Sequence, residues 1–275
     1  MRKLLAALLA GSILSAPAVA APALVFGGGT HGIDGNGGLT CNTTCTYTTS
    51  MAVGVGEVYV IAGLTNSGSS NMNACKLEDS AGVNTDTGTM SGNVQSSATG
   101  KQTFCWIVST HSHPSGSLIT LGVTAGSVTL AIQGIDVSGL DISVPATSPL
   151  DSAAVGSYAN AGLTTDPAML TGTRSRSAEF IFGCFGISTI GTLSAFTWTG
   201  GSGTGGSLTD FGTVPSNRLH CGYEIESSGT GAVTYTLHDT SSTTFGGHMI
   251  VLQAPVGGGG TTDQGDLGPI TGVVQ

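Results

Sequence analysis

Gln102-Thr103-Phe104-Cys105-Trp106-Ile107-Val108-Ser109 is the stretch from which the fold can be read. Side chains alternate sides along an extended chain, so Phe104, Trp106 and Val108 share one face while Cys105 and Ile107 share the other. Working outward, runs of the same kind occur at 58–64, 74–77, 117–123, 127–133, 153–160, 178–187, 193–199, 218–226, 232–238 and 248–253. They carry Val, Ile, Thr, Phe and Tyr and are bounded by Gly, Ser, Asn and Asp clusters, the punctuation of strands and turns. Beyond residue 20 no apolar repeat at helical spacing is sustained over ten residues, which predicts little helix. Short strands at regular spacing predict an all-β protein: an antiparallel β-sandwich of jelly-roll type. Two packed sheets bury alternating faces that one sheet leaves exposed.

The sandwich is expected over 56–254. An irregular Gly/Thr-rich segment, 21–55, precedes it, and a flexible Gly-rich tail, 255–275, follows, opened by Pro255 and the glycines 257–260. The segment from Gly200 to Gly206 is nearly pure Gly, Ser and Thr and reads as a loop, and no internal repeat is visible. At the start of the chain, Met1-Arg2-Lys3 precedes an apolar run, 4–15, and Ala18-Val19-Ala20 offers a small-x-small cleavage site. This is the pattern of a signal peptide, 1–20, and the run is shorter than the roughly 20 residues that span a bilayer. The expectation is a secreted or extracellular protein, at the periplasm or cell surface, with no integral membrane span after cleavage.

Six cysteines, Cys41, Cys45, Cys75, Cys105, Cys184 and Cys221, form an even set, as expected of disulfides in an exported chain. Chain order favours Cys41 with Cys45, Cys75 with Cys105 and Cys184 with Cys221, although fifteen pairings exist in principle. No pair has the two-residue spacing of a zinc knuckle.

Of the 275 residues only 8% are charged and 45 are glycine, so Ser, Thr, Asn and Gly must wrap the interior. Arg2 and Lys3 leave with the signal, which takes the formal net charge from −9 to −11. The remaining cations are Lys76, Lys101, Arg174, Arg176 and Arg218. A nucleic-acid partner is excluded, because binding phosphates requires basic residues to displace counterions.

The stretch Leu77-Glu78-Asp79-Ser80-Ala81-Gly82, between an early strand and an aromatic-containing one, resembles a hairpin turn of Gly/Thr-rich β-sandwich proteins of bacteria and phages. In those proteins the turn continues Asn-x-Tyr and a Gly-x-Asp segment follows. Here Val83-Asn84-Thr85 stands instead, with Gly134-Ile135-Asp136 and Leu150-Asp151 later. The resemblance spans roughly 56–254 and implies the sandwich fold; it implies no activity.

Candidate chemistry is sparse. His111 and His113 lie two apart at a strand end, so both can face one way and, with a third ligand from His220, His238 or His248, hold Zn or Cu. The alternative is a polar hairpin tip closed by Pro114-Ser115-Gly116. Asp34-Gly35-Asn36-Gly37 and the stretch from Asp79 to Asp86 offer oxygen ligands of the kind Ca²⁺ prefers, though Asp-Gly and Asn-Gly also make ordinary turns. No other cofactor is implied. Glu224 and Glu226 share a strand face, which suits either a glycosidase pair or a solvated surface. No Gly-x-Ser-x-Gly elbow occurs, since Gly200-Gly201-Ser202-Gly203 runs into Thr204. Trp106, Trp198, Tyr158, Tyr223 and Tyr235 would suit either a sugar-stacking platform or the core. The sequence therefore predicts a non-catalytic protein for surface display, adhesion or carbohydrate contact, with polysaccharide or cell-surface components as partners. The rivals are a secreted hydrolase and a phage structural or receptor-binding protein.

Overall fold

A computed structural model describes residues 22–24, 34–50, 52–91, 94–97, 100–124, 126–143, 149–158, 164–187, 193–207, 213–214, 217–240 and 244–256. The expected signal peptide and nearly all of the expected tail lie outside the described residues. Strands are the only regular structure among them. The first half holds β1 (Ala23–Leu24), β2 (Asp34–Cys41), β3 (Thr44–Thr48), β4 (Val58–Thr65), β5 (Met72–Glu78), β6 (Thr85–Thr87), β7 (Thr89–Met90), β8 (Val94–Ser97), β9 (Gly100–Val108), β10 (Leu118–Val123) and β11 (Val128–Ser138). The second holds β12 (Gly156–Tyr158), β13 (Ala168–Leu170), β14 (Glu179–Ile187), β15 (Leu193–Thr199), β16 (Thr204–Ser207), β17 (Thr213–Val214), β18 (Asn217–Glu226), β19 (Thr234–Asp239) and β20 (Phe245–Gln253).

These strands form four antiparallel sheets, none closed into a barrel. Sheet I runs β3-β10-β5-β6 and sheet II runs β2-β11-β4-β9, with β1 beside β11 and β7 and β8 along β9. The chain alternates between the two sheets in the eight-strand order of a jelly roll. Sheet III, β12-β20-β14-β18 with β16 and β17 on β18, and sheet IV, β13-β19-β15, repeat this connectivity in the second half, save that no described strand stands in sheet IV where β6 stands in sheet I. No sequence repeat announces this duplication, but the topology carries it.

The layers stack in the order I, II, III, IV, with an apolar layer between each neighbouring pair. Tyr59, Ile61, Cys105, Ile107, Ile119 and Leu121 fill the gap between I and II. Ile181, Phe185, Tyr235, Leu237 and Met249 fill that between III and IV. The middle layer joins the halves: Val58, Val60, Phe104 and Trp106 from sheet II meet Phe180, Phe182, Leu219 and Ile250 from sheet III. Phe104 and Phe182 meet edge to face at 5.5 Å, and the Gln102 side-chain amide donates to the Cys184 carbonyl at 3.1 Å. The two faces of the 102–109 stretch thus serve two different cores. Inner strands are buried on both sides, so β4 and β14 are buried at every residue, whereas the outer strands β10 and β19 alternate.

Two stretches depart from the sequence reading. The segment expected to be irregular supplies β2 and β3, each pairing at a jelly-roll edge with β11 or β10. Within 200–206 the chain turns only as far as Gly203. Thr204 to Ser207 then pairs with β18 from Ile225 to Gly222, a strand made by backbone hydrogen bonds without apolar side chains to signal it.

The cysteines stand as three pairs at disulfide distance, matching the chain-order expectation. Cys41–Cys45 closes the β2–β3 turn, with Cα atoms 4.8 Å apart. Cys75–Cys105 ties sheet I to sheet II at 6.5 Å, and Cys184–Cys221 links directly paired residues of β14 and β18 at 4.0 Å. Gly88 passes so close over the second pair that an added Cβ would strike both sulfurs. Among the described residues no helix is long and apolar enough to cross a membrane.

Candidate functional site

Asp86, the middle residue of β6, turns inward while Thr85 and Thr87 face solvent. Its carboxylate meets the chain leaving β9. Oδ2 accepts from the Thr110 backbone N–H at 3.0 Å, from that of His111 at 3.3 Å, and lies 2.8 Å from His113 Nε2. Oδ1 accepts from the Thr110 hydroxyl and lies 3.2 Å from His111 Nδ1. Burial works against ionisation, but the hydrogen bonds from Thr110, His113 and His111 outweigh it and hold the carboxyl below its ordinary range. His113 is fully buried, and its backbone exchanges two hydrogen bonds with Val53, whereas the His111 side chain is 44% exposed. The ligating atoms of Asp86, His111 and His113 all lie within 4.8 Å of one another.

The histidine pair is therefore brought together as its spacing suggested, but its third member is a carboxylate and not a histidine. His220 is buried between sheets III and IV and His248 in the middle layer, 5.1 Å from Phe104, and loss of water lowers each to about 4. His220 stacks on Phe196 at 5.0 Å. His238 lies on the outer face of sheet IV, with Nδ1 2.5 Å from Asp166 and Nε2 3.4 Å from the Thr197 hydroxyl.

Glu224 and Glu226 do share a strand face, but it looks into the interior and not, as expected, to solvent. Both point from β18 toward sheet IV, 3% and 0% exposed, under a turn whose Gly201 leaves no room for a Cβ beside them. Arg174 lies with them, 3.1 Å from Glu226 and 3.5 Å from Glu179. Burial first, and then a hydrogen bond with Asp151, raises Glu179 to about 8. Burial and the neighbouring Glu226 likewise raise Glu224. Glu179 and Glu226 thus flank the Arg174 guanidinium, and burial keeps Glu224 and Glu226 from meeting a sugar at the surface.

The remaining candidates resolve locally. Asp79 uses its carboxylate on its own turn, accepting from the Val83 and Asn84 backbones at 2.9 and 3.2 Å, with Gly82 in the left-handed region. The side chains of Asp34 to Asn36 lie outside the described residues. Trp106 and Tyr235 are buried, Trp198 stacks on Tyr235 at 4.3 Å, and Tyr223 lies over Phe180, so these four aromatics serve the cores; the Tyr158 side chain lies outside the described residues. Ser202 donates its hydroxyl to Glu226 Oε2 at 3.2 Å and meets the Ser228 hydroxyl at 2.7 Å.

One surface pattern went unread in the sequence. Thr44-Cys45-Thr46-Tyr47-Thr48, Thr85-Asp86-Thr87, Thr197-Trp198-Thr199 and Thr234-Tyr235-Thr236 each alternate threonine outward with a larger residue or buried aspartate between. On sheet IV, Thr236 pairs with Thr197 and Thr234 with Thr199; on sheet I, Thr46 pairs with Thr120. Comparison with family models, curated proteins and solved structures finds no match to this chain.

Proposed function

We propose that this chain is an exported, non-catalytic protein of the outer surface that acts in display or adhesion through the threonine-lined faces of its outermost sheets. The pairing of outward threonines on sheets I and IV carries the reading. Rows about 4.8 Å apart across strands, with residues about 7 Å apart along them, present hydroxyl and methyl groups in a regular array. Such a face exchanges hydrogen bonds with polysaccharide or cell-surface hydroxyls without needing charge, in keeping with a chain that is 8% charged. The basic start, the apolar run and the three cysteine pairs support export. The buried aromatics turn the carbohydrate reading away from ring stacking and toward hydroxyl contact.

The test is retention of the full chain on a panel of insoluble polysaccharides and intact cells. Thr236→Lys and Thr120→Lys are expected to reduce retention at least about tenfold, with melting temperature within the small range of surface substitutions. Retention unchanged in both variants would remove the threonine faces from the function. The tandem jelly rolls favour a second reading, a virion structural or receptor-binding protein, because that architecture recurs in viral coats as well as lectins. Mass spectrometry of purified virions separates the two.

A further inference from the structure

We propose that Asp86, His111 and His113 bind one first-row divalent transition-metal cation, of which Zn²⁺ is the probe. Two imidazole nitrogens and a carboxylate form the donor set that Zn²⁺, Cu²⁺ and Ni²⁺ take, whereas Ca²⁺ and Mg²⁺ require more oxygens. A cation about 2.1 Å from each ligand holds those ligands about 3–3.5 Å from one another. His111 Nδ1 and His113 Nε2 already stand 3.2 and 2.8 Å from the two oxygens of Asp86, and the three ligating atoms lie within 4.8 Å of one another, so binding requires only that they close further on the ion.

The backbone is held in advance. Asp86 is fixed by the pairing of β6 with β5 opposite Leu77, and His113 by its reciprocal bonds with Val53 at 2.9 and 2.8 Å. Two separate elements thus supply ligands whose positions do not depend on the cation. Thr110 and the His111 backbone already anchor this loop to Asp86, so the two imidazoles add a convergence that loop closure does not require. The exposed His111 side leaves an approach for the ion and open positions for water.

One feature sets the strength. The other nitrogen of His113, Nδ1, is buried without a partner. When Nε2 takes the cation, the ring proton moves to Nδ1, where no acceptor supports it. Sites lacking that outer hydrogen bond bind about 10- to 100-fold more weakly than those that have it. The affinity is therefore expected on the order of micromolar, well short of a structural zinc finger.

The experiment uses the oxidised full chain after metal removal, titrated calorimetrically with ZnCl₂ and separately with CaCl₂ and MgCl₂. One equivalent of Zn²⁺ is expected, with a raised melting temperature, no comparable response to the other two ions, and a visible absorption band on Co²⁺ loading. His111→Ala should weaken Zn²⁺ about 100-fold while changing the metal-free melting temperature little, because its side chain is 44% exposed and Thr110 and His113 still bond Asp86. His238→Ala, on sheet IV, should bind as the unaltered chain does. Absence of saturable Zn²⁺ binding below millimolar concentration, or unaltered affinity in His111→Ala, overturns the proposal; so does loss of binding in His238→Ala.

Discussion

Glu179 and Glu224 keep protons in the folded protein that they would release in water, Glu179 up to about 8 against an ordinary 4.5. At these two groups the folded state therefore binds more protons than the unfolded chain between pH 4.5 and about 8. This contribution to stability is complete below 4.5 and is lost as pH rises toward 8. His220 and His248, lowered from 6.5 to about 4 by burial, have the opposite sign: their contribution is complete above 6.5 and is lost as pH falls toward 4. Between pH 6.5 and 8 only the carboxyls act, so the melting temperature should fall across that window. Glu179→Gln combined with Glu224→Gln should flatten the fall; a slope unchanged in that double variant would contradict the assignment. Arg174, 1% exposed at its side chain between Glu179 and Glu226, balances what negative charge remains. Arg174→Met should cost about 3–5 kcal/mol in denaturant unfolding, as removal of one partner of a buried ion pair does. At this scale the sequence was half legible. The two-residue spacing of His111 and His113 marked the pair, but Asp86 stands 25 residues before His111 on a three-residue strand. Nothing local pairs it with them. Glu224 and Glu226 were correctly placed on one face, yet whether that face looks inward depends on a glycine turn from another strand.

Among elements, the sequence distinguishes strands by how many of their faces are covered. Inner strands carry unbroken apolar runs, as in Phe180-Ile181-Phe182, because sheets II and III are packed on both sides. Outer strands alternate, as in Thr234-Tyr235-Thr236. The strands found from sequence were those with such signals. β6, β13 and β16 escaped because three- to four-residue pairings rest on backbone bonds that composition does not encode. The distinction predicts unequal costs. Phe104→Ala, which empties the space facing Phe182, should destabilise by about 3–5 kcal/mol. Thr236→Ala on the outer face should stay within about 0.5 kcal/mol. Equal losses in chemical denaturation would mean that the layer order is misassigned.

For the whole molecule, the decisive feature is the shared middle layer. Residues 21–143 expressed alone would expose Val58, Val60, Phe104 and Trp106 on one sheet, a patch that isolated soluble domains rarely tolerate. That fragment should self-associate in sedimentation, and the complete chain should unfold in a single calorimetric transition. A monomeric fragment, or two resolved transitions, would show that the sandwiches are independent. The jelly-roll class was legible because strand spacing and alternation report on sheets. The duplication was not, because the halves are stapled differently: Cys75–Cys105 spans two sheets, whereas Cys184–Cys221 is a rung within one and faces the middle layer.

The layer order also decides where the chain enters and leaves. Ala23 pairs with Ser138, and Asp141, just beyond, donates its backbone N–H to the Gln253 carbonyl at 2.8 Å. The first and last described strands therefore close at the same pole. At the other pole β4 ends and β11 begins, at Thr65 and Val128. A body connected in this way hangs from one end like a pendant. Force applied between its first and last described residues would load that pole and bypass the far one.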